Sequence, residues 1–369
     1  MEELFGSVYK NKNVLVTGHT GFKGSWLVFW LTKLGANVFG YSDKIPTTPS
    51  HINLLNLPIN SIIGDIRDKE KIHLAVTNIK PDIIFHLAAQ PLVRASYTNP
   101  IETFETNILG SANVFEAARS CQSVKAIVNI TSDKAYENLE LDVAYKEIDR
   151  MGGYDPYSAS KGAAELVTNC YRNSFFNVNE FGKKHNTLLA SARAGNVIGG
   201  GDWAEDRLIP DIIKASVLNR PVRIRRPNAT RPWQHVLEPL SGYLLLGQKL
   251  LEEKKEFADG WNFGPTDNET LKVEEVLLLM KNNWDSLQYF IESSDDNLHE
   301  ANLLRLNCEK ANAFLNWFPV WDMQTAIEKT AIWYKNYYYN NNIITYEQLL
   351  EYVNVAQTKE IIWTNINNY

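Results

Sequence analysis

The apolar run Val14-Leu15-Val16 leads directly into glycines at 18, 21 and 24, and then into a largely apolar stretch from Trp26 to Leu34. Glycines at GxxGxxG spacing between a strand and a helix remove side chains where backbone must come close to a ligand. Backbone N–H groups and a helix N-terminus then face outward together, which suits a diphosphate. The strand–turn–helix context is what gives such a glycine pattern its meaning. It commits the N-terminal half to strands that alternate with helices.

The rest of that half keeps the alternation. Strand patterns fall at 37–41, 62–65, 83–87, 126–130 and 188–193, with helical patterns at 67–79, 101–120 and 157–172. Pro81 separates the first of these helices from the next strand, and connections are short. The expected fold is α/β, a Rossmann-like doubly wound parallel sheet with both faces covered. A chain of 369 residues exceeds one ordinary core, so a second lobe is expected. The reading is a Rossmann dinucleotide domain over 1–195, to which later segments can return. A smaller, interleaved substrate lobe covers most of 196–335, and an Asn- and Tyr-rich C-terminal extension covers 336–369. Gly199-Gly200-Gly201-Asp202-Trp203 reads as a flexible loop, Arg223-Ile224-Arg225-Arg226-Pro227 as a basic run, and 345–353 as a terminal helix.

A net charge of −6 argues against a nucleic-acid surface. No apolar run reaches the roughly 18 residues of a membrane span, and the acidic start Met1-Glu2-Glu3 is unlike a signal peptide. Three cysteines without metal-ligand spacing fit a reducing, cytoplasmic setting with inert thiols, and no metal site is expected.

Tyr157 and Lys161 stand four residues apart in a helical pattern, so they share a face. A free phenol titrates near pH 10. An adjacent ammonium and a positive nicotinamide ring would both favour the phenolate, making Tyr157 a base for a hydroxyl whose carbon gives up hydride. Ser132, at the end of the fifth strand, is placed to bond the reacting oxygen. Asp133 and Lys134 follow it and offer an acid–base pair suited to eliminating water. The chain must turn there for both to face one substrate, since strand neighbours point to opposite sides. The candidate cofactor site comprises Gly18, Thr20, Gly21, Phe22, Lys23 and Gly24, with Asp43 for the ribose hydroxyls. Asp43 favours NAD over NADP, although Lys44 beside it suits a phosphate. Asp65 and Ile66 fit an adenine contact, and Leu87-Ala88-Ala89 presents small residues where the cofactor passes.

Several segments carry a resemblance: VTGHTGFKGSWL, IGDIRD, FHLAAQPLVRASY, NITSDKAYEN, GGYDPYSASKGAAELV, RAGNVIGGGDWAEDRLIPD, RPWQHVLEPLSGY and WNFGP. With them the chain resembles the extended short-chain dehydrogenases/reductases and, within these, the CDP-glucose 4,6-dehydratase family, from about Val14 to about Trp321. The resemblance implies NAD as cofactor and CDP-glucose as substrate, in deoxysugar and polysaccharide precursor biosynthesis. It implies C4 oxidation through Tyr157, removal of the C5 proton by Lys134, departure of the C6 hydroxyl assisted by Asp133, and hydride return to C6. Lys134 stands where related dTDP-glucose dehydratases carry glutamate, and as a base it needs a neutral amine. Arg193, Asn196, Arg207 and Arg231 are the candidates to hold the substrate's diphosphate and nucleotide, because guanidinium forks suit phosphate oxygens. One of these arginines is expected in a surface ion pair instead. Gln90 and Arg94 match cleft positions on the substrate side, Asn107 one on the cofactor side. The resemblance also implies a homo-oligomer, dimer or tetramer, through the helix carrying Tyr157. The rival readings are another nucleotide-sugar enzyme of this fold, a GDP-mannose 4,6-dehydratase or an epimerase, and a non-enzymatic dinucleotide sensor. Ser132-Asp133-Lys134 argues against the epimerase, and the intact Tyr/Lys pair against the sensor.

Overall fold

The computed structural model describes residues 1–141, 143–225, 227–265, 271–292 and 303–365. Arg226 of the basic run lies outside the described residues. Seven strands form one sheet: β1 (Asn13–Thr17), β2 (Asn37–Ser42), β3 (Asn60–Ile63), β4 (Ile83–His86), β5 (Ala126–Ile130), β6 (Leu188–Ala194) and, past the short lobe strand β7 (Val222–Ile224), β8 (Gly260–Phe263). Their order is β8-β6-β5-β4-β1-β2-β3 and every pairing is parallel. The strand order reverses between β1 and β4. In such sheets that switch point opens a crevice at the carboxyl ends of the strands, where ligands bind.

The inner strands β4, β5 and β6 are buried along their whole length. Two apolar clusters cover the two faces, the reason these strands read as continuous apolar runs rather than alternating ones. Helix α1 (Phe22–Lys33) buries Trp26 through Leu31 without a break, so it is a core helix with no wet face. Helices α2 (Lys69–Ile79), α3 (Val93–Thr98) and α4 (Gly110–Arg119) follow. The single helix expected over 101–120 is in fact interrupted. A short helix Pro100–Phe104 passes through a π turn at Glu105–Leu109 before α4 begins, and π turns often mark functional sites. Helix α5 (Pro156–Ser174) starts where Pro156 fixes the first helical φ and the Asp155 carboxylate accepts from Ser158 N at 2.9 Å.

Beyond 196 the chain builds α6 (Leu208–Val217), then β7, and returns through α7 (Leu237–Leu251) and β8 to the main sheet, where β8 pairs with β6. The segment 199–203 is buried and pinned rather than flexible: Trp26 donates to Gly200 O at 2.9 Å, and Asp202 N to the Tyr334 hydroxyl at 2.9 Å. A Cβ on Gly200 would meet the Trp333 ring at 2.0 Å, so glycine is there for contact, not mobility. The C-terminal helices α8 (Met323–Asn340) and α9 (Thr345–Thr358) close over α1. Tyr352 packs edge-on to Trp30 at 5.9 Å, and the Thr345 hydroxyl receives Trp333 Nε1 at 3.0 Å.

Candidate active site

A cavity of about 1240 Å³ runs along the carboxyl ends of the strands from the glycine turn to α6 and β7. Gly18 holds φ +74°, and a Cβ on it would lie 2.7 Å from Ala88 N; a Cβ on Gly24 would lie 2.1 Å from Gly18 O. Gly18 lets the β1 turn lie flush against the chain after β4, and Gly24 lets the first turn of α1 pack against the β1 turn itself. Gly21 differs. A Cβ there meets only Gly18 O, at 3.4 Å, and the residue lines the cavity. Its missing side chain leaves room for a ligand at the N-terminus of α1, so these residues fit a diphosphate. Thr20 ties the turn to β2 by donating to Lys44 O at 2.6 Å.

At the edge, Asp43 is exposed beside Lys44 (3.8 Å). Asp65 accepts from Arg67 N and Nε at 2.8 Å and Nη2 at 2.6 Å. Burial works to raise this carboxyl, and the bonds from Arg67 hold it below its ordinary value. Arg67 was not singled out from sequence, yet it lines the cavity and orders Asp65. Phe22, Lys23, Ile66, Leu87, Ala88 and Ala89 line the same wall. Burial, helped by Lys161 and Arg207, brings the Lys23 ammonium down to about 7.

The reacting centre forms where β5 ends. A short 3-10 turn at Asp133–Ala135 is capped by Ser132, whose Oγ accepts from Lys134 N at 3.2 Å and donates to Asp133 Oδ1 at 3.0 Å. This turn is the bend required for Asp133 and Lys134 to share the cavity with Ser132, and all three line it. Asp133 is buried, and its Oδ2 bonds to nothing among the described residues. Burial raises its carboxyl above the ordinary value, against the pull of Lys134, Ser132 and Arg231. Across from it, α5 presents Tyr157 and Lys161, both buried and lining the cavity. The expectation that Lys161 depresses the Tyr157 phenol needs correction. Burial pushes Tyr157 up to about 12 despite the lowering influence of the Ser132 hydroxyl, and burial brings Lys161 down to about 8 against the influence of Glu165. The protein alone keeps the phenol neutral.

On the substrate side Gln90, Arg94, Asn196, Arg207 and Arg231 line the cavity. Arg207 meets Asp202 at 3.1 Å. The Gln90 amide is tied within its own loop, to Leu92 O at 3.0 Å and Thr103 Oγ1 at 2.9 Å. Two expected site residues lie outside the cavity lining. Asn107, in the π turn, sits beneath it and holds the site together, accepting from Gln90 N at 2.8 Å and donating to Ser160 Oγ at 2.8 Å. Arg193 makes a two-pronged bond to Glu165, 2.9 Å on each prong, and donates to the Tyr136 hydroxyl at 2.6 Å. Like Arg207 it is in an ion pair, but its pair is buried rather than on the surface and lies outside the cavity lining. Glu165 was legible: Tyr157, Lys161 and Glu165 continue one i,i+4 series along α5. Among the described residues there is no cluster of His, Cys, Asp or Glu that could hold a metal ion, and no helix long and apolar enough to cross a membrane.

Comparison with known proteins identifies the family. The family model described as GDP-mannose 4,6 dehydratase matches residues 15–330. CDP-glucose 4,6-dehydratase of Salmonella typhimurium is 50% identical over 329 residues, covering 89% of this chain and 91% of that protein. Among solved structures, an epimerase from Methanothermobacter thermautotrophicus superposes with a TM-score of 0.77 at 25% identity, covering 92% of this chain and 96% of that one. A dTDP-glucose 4,6-dehydratase from Streptomyces venezuelae, solved with NAD bound, has the same fold (TM-score 0.73, 20% identity, 88% of this chain and 97% of that one). With a match over most of its length and half its aligned residues shared with one curated dehydratase, the chain belongs to the nucleotide-sugar dehydratase family described as GDP-mannose 4,6 dehydratase.

Proposed function

We propose that this chain is an NAD-dependent hydro-lyase that converts CDP-glucose to CDP-4-keto-6-deoxyglucose. The observation that carries the reading is the capped turn bringing Ser132, Asp133 and Lys134 into one cavity with Tyr157 and Lys161. The 50% identity to a curated CDP-glucose 4,6-dehydratase supports the choice of nucleotide. NAD, when bound, supplies a hydride acceptor that is regenerated within the cycle and a positive ring beside the phenol. Glycines 18, 21 and 24 would hold its diphosphate and Asp43 its ribose.

In this reading Tyr157 takes the proton of the C4 hydroxyl while Ser132 holds that oxygen. A buried phenol pushed up to about 12 is scarcely ionised near neutral pH, so added positive charge is what brings its phenolate within reach. The C4 ketone acidifies the C5–H bond, and Lys134 takes that proton. Asp133, whose carboxyl burial raises, gives its proton to the departing C6 hydroxyl, which leaves as water. An epimerase needs no such second acid. Asn196, Arg207 and Arg231 would hold the substrate's diphosphate. We place the enzyme in the cytoplasm as a homo-oligomer, a reading supported by the exposed Leu109 and Leu166 near and on α5; light scattering of the purified protein tests the assembly.

The test is to incubate the purified protein with NAD and CDP-glucose and follow the alkaline absorbance of a 4-keto sugar. In heavy water one deuterium should enter at C5. If CDP-glucose stays unchanged while another nucleotide sugar is consumed, the substrate assignment fails.

A further inference from the structure

A dehydratase that takes CDP-glucose in preference to its uridine and thymidine counterparts must read the base. The reacting centre fixes the sugar beside Tyr157, and Arg207 and Arg231 stand next along the cavity, where a diphosphate would lie. The base is then directed to the far end, between the segment entering α6 and strand β7. Val222 and Ile224 supply apolar wall there. The charged side chains there are Glu205, Asp206, Asp211, Lys214, Arg223 and Arg225, and two of them face each other: Arg225 Nη2 donates to Asp206 Oδ1 at 3.3 Å.

The pairing edge of cytosine offers one donor, the 4-amino group, followed by two acceptors, N3 and O2. Its complement is an acceptor beside two donors. A carboxylate only accepts and a guanidinium only donates, in a planar fork. Asp206 and Arg225 therefore supply together what the pairing edge of guanine would. Uracil and thymine carry an N3–H and a 4-oxo group instead. Their N3–H would meet a guanidinium N–H, and their O4 would meet the carboxylate, so both contacts turn repulsive. A site that rejects a ligand through such mismatched polar groups discriminates more strongly than an apolar pocket can.

Two further observations favour a ligand-reading role over a structural one. Asp206 adopts φ +56°, a left-handed conformation that costs a non-glycine residue free energy and recurs at binding sites. The pair is also half exposed, 30% for Arg225 and 47% for Asp206. An ion pair so placed returns little stability for folding. Arg94, from α3 on the sheet side, reaches the same Asp206 oxygen at 4.0 Å and helps aim it across the cavity.

We infer that Asp206 and Arg225 form the base-reading pair, Asp206 accepting from the cytosine amino group and Arg225 donating to N3 and O2. The inference rests on the CDP-glucose reading above and adds the residues that choose the nucleotide. Competition by CDP and UDP against CDP-glucose turnover tests it, with kcat/KM for CDP-glucose and UDP-glucose measured beside it. The wild-type protein should favour the cytidine compounds. D206N should weaken CDP about tenfold and leave UDP equal or tighter, because its amide can donate to O4. R225Q should cut the CDP-to-UDP preference ten- to hundredfold, the range of one good two-pronged base contact, while NAD affinity stays unchanged. If the wild type prefers CDP but both variants keep that preference, the pair does not read the base. If D211N moves the preference and D206N does not, the assignment of Asp206 is wrong. A wild type with no cytidine preference would overturn the proposed substrate instead, which is a separate failure.

Discussion

The buried pair between Glu165 and Arg193 offers a sharp test, because the two sequence readings of Arg193 predict different behaviour. Both side chains are nearly inaccessible, 4% and 6% exposed. Glu165 accepts two bonds of 2.9 Å from Arg193 and one of 2.7 Å from Ser191, and is also bonded by Thr131. Burial alone would raise this carboxyl, yet Arg193 and the hydroxyls hold it at about 2. From an ordinary 4.5, at about 1.4 kcal/mol per pH unit, that shift corresponds to about 3 kcal/mol of stability at neutral pH. The sign follows: a depressed carboxylate contributes above pH 4.5 and loses its contribution as pH falls toward 2. An independent route agrees, since removing one partner of a buried pair costs about 3–5 kcal/mol. E165Q should therefore lose about 3 kcal/mol, measured by urea unfolding with the ten tryptophans as probe. The double variant E165L/R193M should lose less than either single change, because no charge is left stranded. Its KM for CDP-glucose should stay within about twofold of wild type, the expectation for an arginine outside the cavity. The reasoning is refuted if E165Q costs under about 1 kcal/mol, or if R193M raises KM tenfold with stability intact.

Three other predictions follow from the same geometry. D133N should lower turnover of CDP-glucose by about 10²–10⁴, the span of general-acid catalysis. An analogue with fluorine at C6, which departs without a proton, should recover most of that loss; equal loss on both substrates would remove Asp133 from the acid role. Gly18→Ala forces a side chain onto Ala88 N at φ +74°, so isothermal titration should show NAD affinity reduced at least tenfold, and unchanged affinity would contradict the cradle. His51 bonds Ser25 and Thr345 and is held near 3 by burial. Its lowered value means that the unfolded chain gains a proton below about pH 6.5 and the folded chain does not, so stability falls with acidity. In His51→Gln the loss of unfolding free energy between pH 7.5 and 5.5 should shrink by about 1.4 kcal/mol, and an unchanged pH slope would show that His51 titrates normally in the fold.

The chain order of strands and helices was legible because a parallel sheet buried on both faces demands apolar runs, and these recur between short connections from β1 to β6. The glycine turn, the pair on α5 and the residues after β5 were legible because their chemistry depends on local spacing: i,i+4 along a helix, or a glycine where backbone must pass. Tertiary structure decided what spacing cannot encode. Whether an arginine meets phosphate or a buried glutamate depends on a partner 28 positions away in the chain, and sequence ranks Arg193 beside Arg231 for want of that information. The segment 199–203 looked mobile because glycine is permissive in isolation; only the rings of Trp26, Trp333 and Tyr334 turn it into a packed floor. The Tyr157 phenol shows the same divide. Its neighbour Lys161 is visible in sequence, but the desolvation that raises the phenol exists only once the sheet, α5 and the lobe have closed around it.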